Sequence, residues 1–193
     1  DYDSLTEDVV FDVIYRPKLV NYTIRHYKQD VLDDNYEFYK QETAQEYTGT
    51  QVGDDCAIEI EGFTALYYDH LIVAADGSTI IDIYYDRNYY LVDFKMEGGF
   101  GVEPIYGRYG ATVGVNDPIR HGYIFNSWEL TEYGNSTPTA QQKTDYDINN
   151  SVQILIPNAD LTYKAKWTTT DTTFTVVYWL EKANTEGYGY WGS

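Results

Sequence analysis

Residues 79–96 read TIIDIYYDRNYYLVDFKM, two runs of alternating apolar residues joined by a short polar turn. The same arrangement occurs at residues 9–29 (VVFDVIYRPKLVNYTIRHYKQ) and at residues 161–183 (LTYKAKWTTTDTTFTVVYWLEKA). A period of two is typical of half-buried β-strands. Each copy is interpreted as the last strand of one small domain running into the first strand of the next. Internal repetition of this kind predicts a string of modules.

The three junctions predict where each module begins and ends. Residues 1–17 are expected to hold the last strand of a preceding repeat, and residues 169–193 the first hairpin of a following one. Residues 18–88 and 89–168 then form two complete modules, each of roughly 70–80 residues, a normal size for a small domain. We expect a mainly β chain with its modules in an elongated tandem array, taken from a longer polypeptide.

Composition and charge narrow the range of partners. The net charge is −18 over 193 residues, which repels phosphates and anionic lipid surfaces, so we expect no nucleic-acid partner. No stretch approaches the roughly 20 apolar residues of a membrane span, so no membrane insertion is expected in this segment. The single cysteine, Cys56, excludes an intramolecular disulfide and a cysteine-cluster metal site.

Alternation and turn residues place the individual elements. One helical turn is predicted at residues 114–120, and residues 54–61 fit either a short helix or a strand. The polar stretch at residues 131–150 is interpreted as a long insertion loop. Strands are predicted at residues 9–16, 22–29, 36–42, 80–85, 90–96, 105–113, 122–130, 152–156, 161–167 and 174–182, with a short strand within 62–73 and another begun at 187–193.

The second module resembles the Listeria–Bacteroides repeat, the internalin-B-type B repeat of Gram-positive surface proteins. The similarity is carried by YLVDFKMEGG (residues 90–99), GATVGVNDPIRHGYIFNSWEL (110–130) and YKAKW (163–167). The chain departs from that repeat at residues 131–150. The residues that match its pattern are Pro118, Gly122, Tyr123, Phe125, Trp128, Tyr163, Ala165 and Trp167.

The first module is similar to the related repeat of mucin-binding-type surface proteins. The shared phrases are NYTIRHYKQ (residues 21–29), YTGTQVG (47–53), EGFT (61–64) and DGSTIIDIYYDR (76–87), and residues 173–190 look like the start of a further copy. Together these resemblances imply an α+β fold of β-grasp, ubiquitin-like modules. They also imply a tandem array in an extracellular, cell-wall-attached or secreted adhesin of a Gram-positive bacterium, without catalytic residues.

Four aromatic residues are predicted to build the core of the second module: Tyr123, Phe125, Trp128 and Trp167. A buried tryptophan removes on the order of 150–250 Å² from water. That is a large share of the core in a module of roughly 75 residues, where burial is otherwise marginal.

Candidate chemistry is sparse. Asp145, Asp147 and Asn149 alternate oxygen ligands as in the first half of a calcium loop, but the glycine and the later bidentate glutamate of an EF-hand are missing. A solvated turn is the competing interpretation, and no other cofactor is expected. The sequence contains no nucleophile motif and no phosphate-binding loop, so we expect a protein that is not an enzyme.

Three functions remain open on the sequence. The first is a stalk or spacer segment of an adhesin, whose partners are neighbouring repeats. The second is direct binding of a host glycan or protein through exposed tyrosines, for which Tyr67, Tyr68, Tyr106 and Tyr109 are candidates. The third is a subunit of an extracellular filament, assembled head-to-tail when the unpaired terminal strands add to neighbouring subunits.

Overall fold

A computed structural model describes residues 12–151, 153–171 and 173–193. Strands account for 48% of the structure and helix for 3%, so the chain is mainly β. The Cα positions divide it into two compact units. One extends to Tyr90 and includes Gly107–Ala111 and Ile156–Asn158, and the other comprises the remainder. These units are defined by packing and not by sequence repeats. The module bounds at residues 18–88 and 89–168 therefore remain predictions.

The first four-stranded sheet, called here the first sheet, has the strand order β2-β1-β6-β4. A two-stranded ladder of β3 and β5 accompanies it. The strands are β1 (Leu19–Gln29), β2 (Tyr36–Tyr47), β3 (Gln51–Val52), β4 (Phe63–Ala65), β5 (Leu71–Ile72) and β6 (Ile80–Arg87).

Alternation within β1 divides the first sheet into an inner and an outer face. Tyr22, Ile24 and His26 are buried on the inner face, while Arg25 and Tyr27 on the outer face are half-buried. β1 pairs with β2 in antiparallel fashion and with β6 in parallel. The inner face of β6 completes the core. The most buried residues of that core are Val73, Ile81, Ile83 and Tyr85.

The second four-stranded sheet, called here the second sheet, has the order β10-β12-β7-β8, with a two-stranded ladder of β9 and β11. A hairpin of two further strands, β13 and β14, follows it in the chain. The elements are β7 (Tyr89–Lys95), β8 (Ile105–Arg108), β9 (Thr112–Gly114), β10 (Tyr123–Tyr133), α1 (Ala140–Asp145), β11 (Gln153–Leu155), β12 (Leu161–Thr169), β13 (Tyr178–Glu181) and β14 (Tyr188–Gly192).

The two sheets share one strand order. Read from β8, the second sheet runs β8-β7-β12-β10, which matches β2-β1-β6-β4 position by position. In each sheet the first strand and the last strand are neighbours and run parallel, β1 with β6 and β7 with β12. Each sheet also has its own two-stranded ladder, β3 with β5 and β9 with β11.

A β-bulge in β10 turns the principal tryptophan of the second sheet inward. The register between β10 and β12 shifts between Phe125 and Ser127, so that Asn126 is the extra residue. Without the shift, strict alternation from Phe125 would bury Ser127 and expose Trp128. Trp128 is instead only 5% exposed. The bulge therefore explains why two residues separate the phenylalanine and the tryptophan.

The predicted insertion loop at residues 131–150 is folded. β10 continues to Tyr133, and α1 occupies Ala140–Asp145. A capping box starts this helix, since the side chain of Thr139 accepts from the backbone of Gln142 and the Gln142 side chain accepts from Thr139. The prediction of a loop was wrong because the segment is largely polar, and only its Thr-x-x-Gln spacing marks the start of a helix.

Two other predictions in the second module were wrong. The single strand predicted at residues 105–113 is divided into β8 and β9 by a turn at Gly110, whose φ of +79° favours glycine. The helical turn predicted at residues 114–120 is absent, because Ile119 pairs with Phe100 in an isolated bridge and Pro118 cannot donate a backbone hydrogen bond.

Three segments outside the sheets also differ from expectation. Residues 56–60 form neither helix nor strand, and Cys56 at their start is buried. Of the strand predicted at residues 9–16, residues 12–16 are not in a strand, and residues 9–11 lie outside the described part of the chain. The strand predicted at residues 174–182 is confined to β13, Tyr178–Glu181. Residue 152, in another predicted strand, is not among those described.

Candidate functional site

A groove of about 370 Å³ lies against the first sheet. Its floor comes from the outward-facing residues of β6, and its wall from the segment that follows β4. Alternation along β6 sends Ile81 and Ile83 into the core, and therefore points Asp82 and Tyr84 outward. The lining residues are Tyr67, Tyr68, Asp69, Leu71, Ile80, Ile81, Asp82 and Tyr84.

Neighbouring side chains on the outer face hold the floor of the groove in place. The ring of Tyr84 stacks on Tyr27, with centroids 5.0 Å apart and an interplanar angle of 17°. Tyr36 packs edge-on against Tyr84, with ring centroids 5.1 Å apart. The Tyr36 hydroxyl donates to Asp86, and this bond raises the Tyr36 pKa to about 12.

The Asp82 carboxylate in the floor of the groove forms an ion pair with Arg25. Arg25 donates from Nε to Oδ1 of Asp82 at 2.6 Å and from Nη2 to Oδ2 at 2.7 Å, a bidentate geometry. Both side chains are 33% exposed, so the remaining lone pairs of Asp82 stay accessible. The groove thus offers aromatic faces, hydroxyl groups and oriented carboxylate oxygens. Such a surface matches a neutral, hydroxyl-rich ligand, and its carboxylates repel anions.

The four tyrosines predicted as ligand contacts have different positions. Tyr67, 91% exposed, and Tyr68, half-buried, both line the groove. Tyr68 is held there because its hydroxyl accepts from the backbone N–H of Ala57 at 3.2 Å. Tyr106 on β8 is 70% exposed, and Tyr109 is half-buried in the turn that follows; neither is among the lining residues.

The sequence reasoning missed Asp82 and Tyr84. Both lie in IIDIYYDR, the strand that carries the repeat, and that stretch was interpreted only as a structural element. The period of two already placed them on the face opposite Ile81 and Ile83. What it could not show is that the segment after β4 passes close to this face and closes a groove over it.

The three calcium candidates are occupied by local hydrogen bonds. Asp145 Oδ1 accepts from Gln141, and Asp147 Oδ1 accepts from both the backbone and the side chain of Asn149. The Asn149 side chain in turn binds the backbone of Trp128, accepting from its N–H at 2.6 Å and donating to its carbonyl at 2.9 Å. Asn149 therefore fixes the edge of β10 next to the bulge.

No shared metal position is formed by the acidic residues of the described chain. Among those residues, no three His, Cys, Asp or Glu side chains are grouped so that they could hold one ion. The described part also contains no helix with the length and apolar character of a membrane span.

The four aromatic residues predicted to build the core of the second module differ in how deeply they are buried. Trp128 is in the core, with its ring 5.0 Å from Phe94 and 5.3 Å from Phe125. Phe125 and Trp167 are half-buried against that core, and the Trp167 Nε1 donates to the Met96 carbonyl at 2.9 Å. Tyr123 is half-buried at the start of β10, where the guanidinium carbon of Arg120 lies 3.6 Å from its ring centroid. Of the four predicted aromatics, Trp128 is therefore the one that is fully in the core.

The first sheet has a polar group at the centre of its core. His26 has no exposed surface, and its Nδ1 lies 2.9 Å from the Tyr85 hydroxyl, which also accepts from the backbone N–H of Ile58 at 3.0 Å. Burial lowers the pKa of His26 and raises that of Tyr85. In the described residues, His26 Nε2 and Trp128 Nε1 are the buried side-chain polar atoms that lack a hydrogen-bond partner.

Comparisons of the chain with protein-family models, with curated proteins and with solved structures found no match.

Proposed function

We propose that the chain is a non-enzymatic spacer segment of a bacterial cell-surface adhesin, built from tandem β-grasp modules. The modules span residues 18–88 and 89–168, and the hairpin of β13 and β14 is the opening hairpin of a further repeat. The observation that carries the proposal is the parallel pairing of the first and last strands in both sheets.

Parallel pairing of the first and last strands suits a segment under tension. The chain enters such a pair at one end and leaves it at the opposite end. A force applied through the chain therefore shears the ladder and loads its hydrogen bonds together rather than one after another. Asn88 alone separates β6 from β7 in the chain.

The strand order supports the β-grasp assignment. Both sheets place the second, first, last and third strands side by side. The resemblance to Gram-positive surface repeats supports an extracellular, cell-wall-attached or secreted location. The net charge of −18 is compatible with a solvated protein on that surface.

Small-angle X-ray scattering with multi-angle light scattering on the full chain tests this proposal. A spacer predicts a monomer whose radius of gyration is well above the value of about 16 Å expected for one compact domain of this length. A monomer at or below about 16 Å would contradict the spacer function, because the modules would then fold onto one another.

The groove on the first sheet favours a second candidate function, binding of a neutral saccharide. Tyr67 and Tyr84 present aromatic faces, and Asp82 presents fixed acceptors for sugar hydroxyls. Glycan-array binding should fall at least tenfold in Tyr67→Ala and Tyr84→Ala. Tyr106→Ala is the matched control, because Tyr106 is also exposed but does not line the groove. Equal binding by all three variants would exclude this groove.

A further inference from the structure

Two cross-strand pairs lie next to each other on the outer face of the first sheet. In the parallel ladder of β1 and β6, Arg25 is opposite Asp82, and Tyr27 is opposite Tyr84. The first is the bidentate ion pair of the groove floor, and the second is the stacked pair of rings. The guanidinium carbon of Arg25 also lies 6.0 Å from the Tyr27 ring centroid. The ion pair and the aromatic stack therefore adjoin each other.

The corresponding positions of the second sheet carry different side chains. On its outer face, β7 and β12 pair Asp93 with Thr162 and Lys95 with Lys164. None of these four residues is aromatic, and neither pair joins a cation to a carboxylate. The arrangement on the first sheet is thus not required by the strand order, which both sheets share. Partly exposed ion pairs also contribute little to stability, so stability alone does not account for it.

Arg25 determines which lone pairs of Asp82 face the groove. An ionised carboxylate has about four lone-pair sites, and the bidentate contact occupies one on each oxygen. One site remains on each oxygen, in an orientation that the rigid, planar guanidinium fixes. Two adjacent acceptors of this kind match two neighbouring hydroxyl groups of a sugar ring. Tyr84 follows two residues later on the same face of β6, about 7 Å away, where its ring can stack on that sugar.

Arg25 also determines the charge that a ligand meets. Its guanidinium stays ionised at any pH that the folded protein experiences, and it offsets the charge of Asp82. The described residues that line the groove include no lysine or arginine, so without Arg25 the floor would hold an uncompensated carboxylate. Such a carboxylate attracts an ammonium group, whereas the ion pair favours an uncharged donor. Asp69, the other acid of the groove, is exposed, so solvent screens its charge.

We infer that Arg25 is the specificity-determining residue of the groove. By holding Asp82, it selects an uncharged sugar with two neighbouring hydroxyl groups over the corresponding amino sugar. The inference rests on the saccharide-binding function proposed above for the groove. Arg25 acts on the ligand through the Asp82 carboxylate and is therefore a positioning residue.

Chemical-shift titrations of the full chain, followed by NMR, test the inference. The probes are the methyl pyranosides of glucose, galactose and mannose, each compared with its 2-amino-2-deoxy counterpart at a pH that keeps the amine protonated. The two sugars of each pair differ in one substituent, a hydroxyl or an ammonium group, beside a shared hydroxyl. The wild-type chain should bind at least one neutral sugar, with shifts at Asp82 and Tyr84, and should bind its amino counterpart about tenfold more weakly.

Two substitutions separate the charge of Arg25 from its geometry. Arg25→Gln removes the charge, so the preference should reverse toward the amino sugar, and added salt should weaken that binding. Arg25→Lys keeps the charge but loses the planar fork, so binding of the neutral sugar should fall about tenfold without a gain for the amino sugar. Lys166→Gln is the matched control, because it removes one positive charge from an exposed ion pair with Glu129 on the second sheet. It should change neither affinity.

The ratio of the two affinities carries the test, because a purely structural role of Arg25 would lower both alike. The same spectra report whether each variant is folded. An Arg25→Gln chain that keeps the wild-type ratio would overturn the inference and leave saccharide binding in place. A wild-type chain that prefers the amino sugars would also overturn it. Absence of shifts in the groove with all of these sugars would reject the saccharide-binding function itself, and the inference with it.

Discussion

The core of the first sheet contains a buried histidine, His26, whereas the core of the second sheet contains a buried tryptophan, Trp128. His26 is held by a hydrogen bond to Tyr85, and the Tyr85 hydroxyl also accepts from the Ile58 N–H. Trp128 is held by ring contacts with Phe94 and Phe125. The two sheets nevertheless have the same strand order and the same parallel first and last strands.

Comparing the two sheets shows that the strand order and the choice of core side chains are determined separately. Strand order follows from apolar alternation and from the pairing of first and last strands, which both modules repeat. Core chemistry is free to differ as long as each interior is filled. The two sheets should therefore respond differently to substitution and to pH, and four experiments measure that difference.

The largest effect is expected for Trp128→Ala. Removing this ring leaves a cavity between Phe94 and Phe125 and should lower the free energy of unfolding of the second module by about 3–5 kcal/mol. Hydrogen exchange should locate the loss of protection in β10 and β12 and leave β1 and β6 unchanged. Trp179→Ala is the control, because Trp179 is 58% exposed. Equal destabilisation by both variants would refute the assignment of Trp128 as the main core residue.

Tyr85→Phe should have the next largest effect, and it should act on the first sheet. The change leaves the Ile58 N–H and the His26 ring without their shared partner, at a cost of about 1–3 kcal/mol. Tyr163→Phe is the matched variant on the last strand of the second sheet, where the hydroxyl donates one bond to the Tyr146 carbonyl. In urea unfolding, Tyr163→Phe should cost less. The reverse ranking would contradict a polar core in the first sheet.

Acid should destabilise the first sheet more than the second. Burial lowers the pKa of His26, so below its ordinary value of 6.5 the unfolded chain binds a proton that the folded chain does not. The free energy of unfolding then falls as the pH falls through that value. Lys40 adds to the lowering of the pKa, while the Glu42 carboxylate, 3.9 Å from Nε2, opposes it.

His26→Gln isolates this effect. Unfolding of the first sheet, followed by hydrogen exchange at about pH 7 and about pH 5, should be less pH-dependent in the variant than in the wild-type chain. The second sheet serves as the internal reference, because it buries no histidine among its described residues. Identical pH dependence in wild type and variant would show that His26 does not titrate in this range.

The smallest effect is expected from calcium. Asp145, Asp147 and Asn149 already bind Gln141, one another and the Trp128 backbone. Saturating Ca²⁺ should therefore leave the melting temperature unchanged, whereas Asn149→Ala should lower it by removing both bonds to Trp128. A rise in melting temperature with Ca²⁺ that Asp147→Asn abolishes would restore the calcium-loop interpretation.

Period-two alternation was sufficient to predict most strands and the inward residues of β1, because burial on one face imposes that period directly. It did not predict α1, whose residues are all unburied, so that no apolar stripe marks the helix. The groove was only half predicted. Tyr67 and Tyr68 were chosen as exposed aromatics, but Asp82 and Tyr84 join them through a pairing between β4 and β6 that no local pattern contains.

Stretching single molecules of the full chain from its two ends tests the central claim most directly, that both modules are load-bearing units closed by parallel strands. We expect two separate unfolding events, each releasing roughly 250 Å of chain. The second sheet should yield at the lower force, because β7 and β12 pair over four residues whereas β1 and β6 pair over six. A single event, or extension without a resolved force peak, would contradict the account.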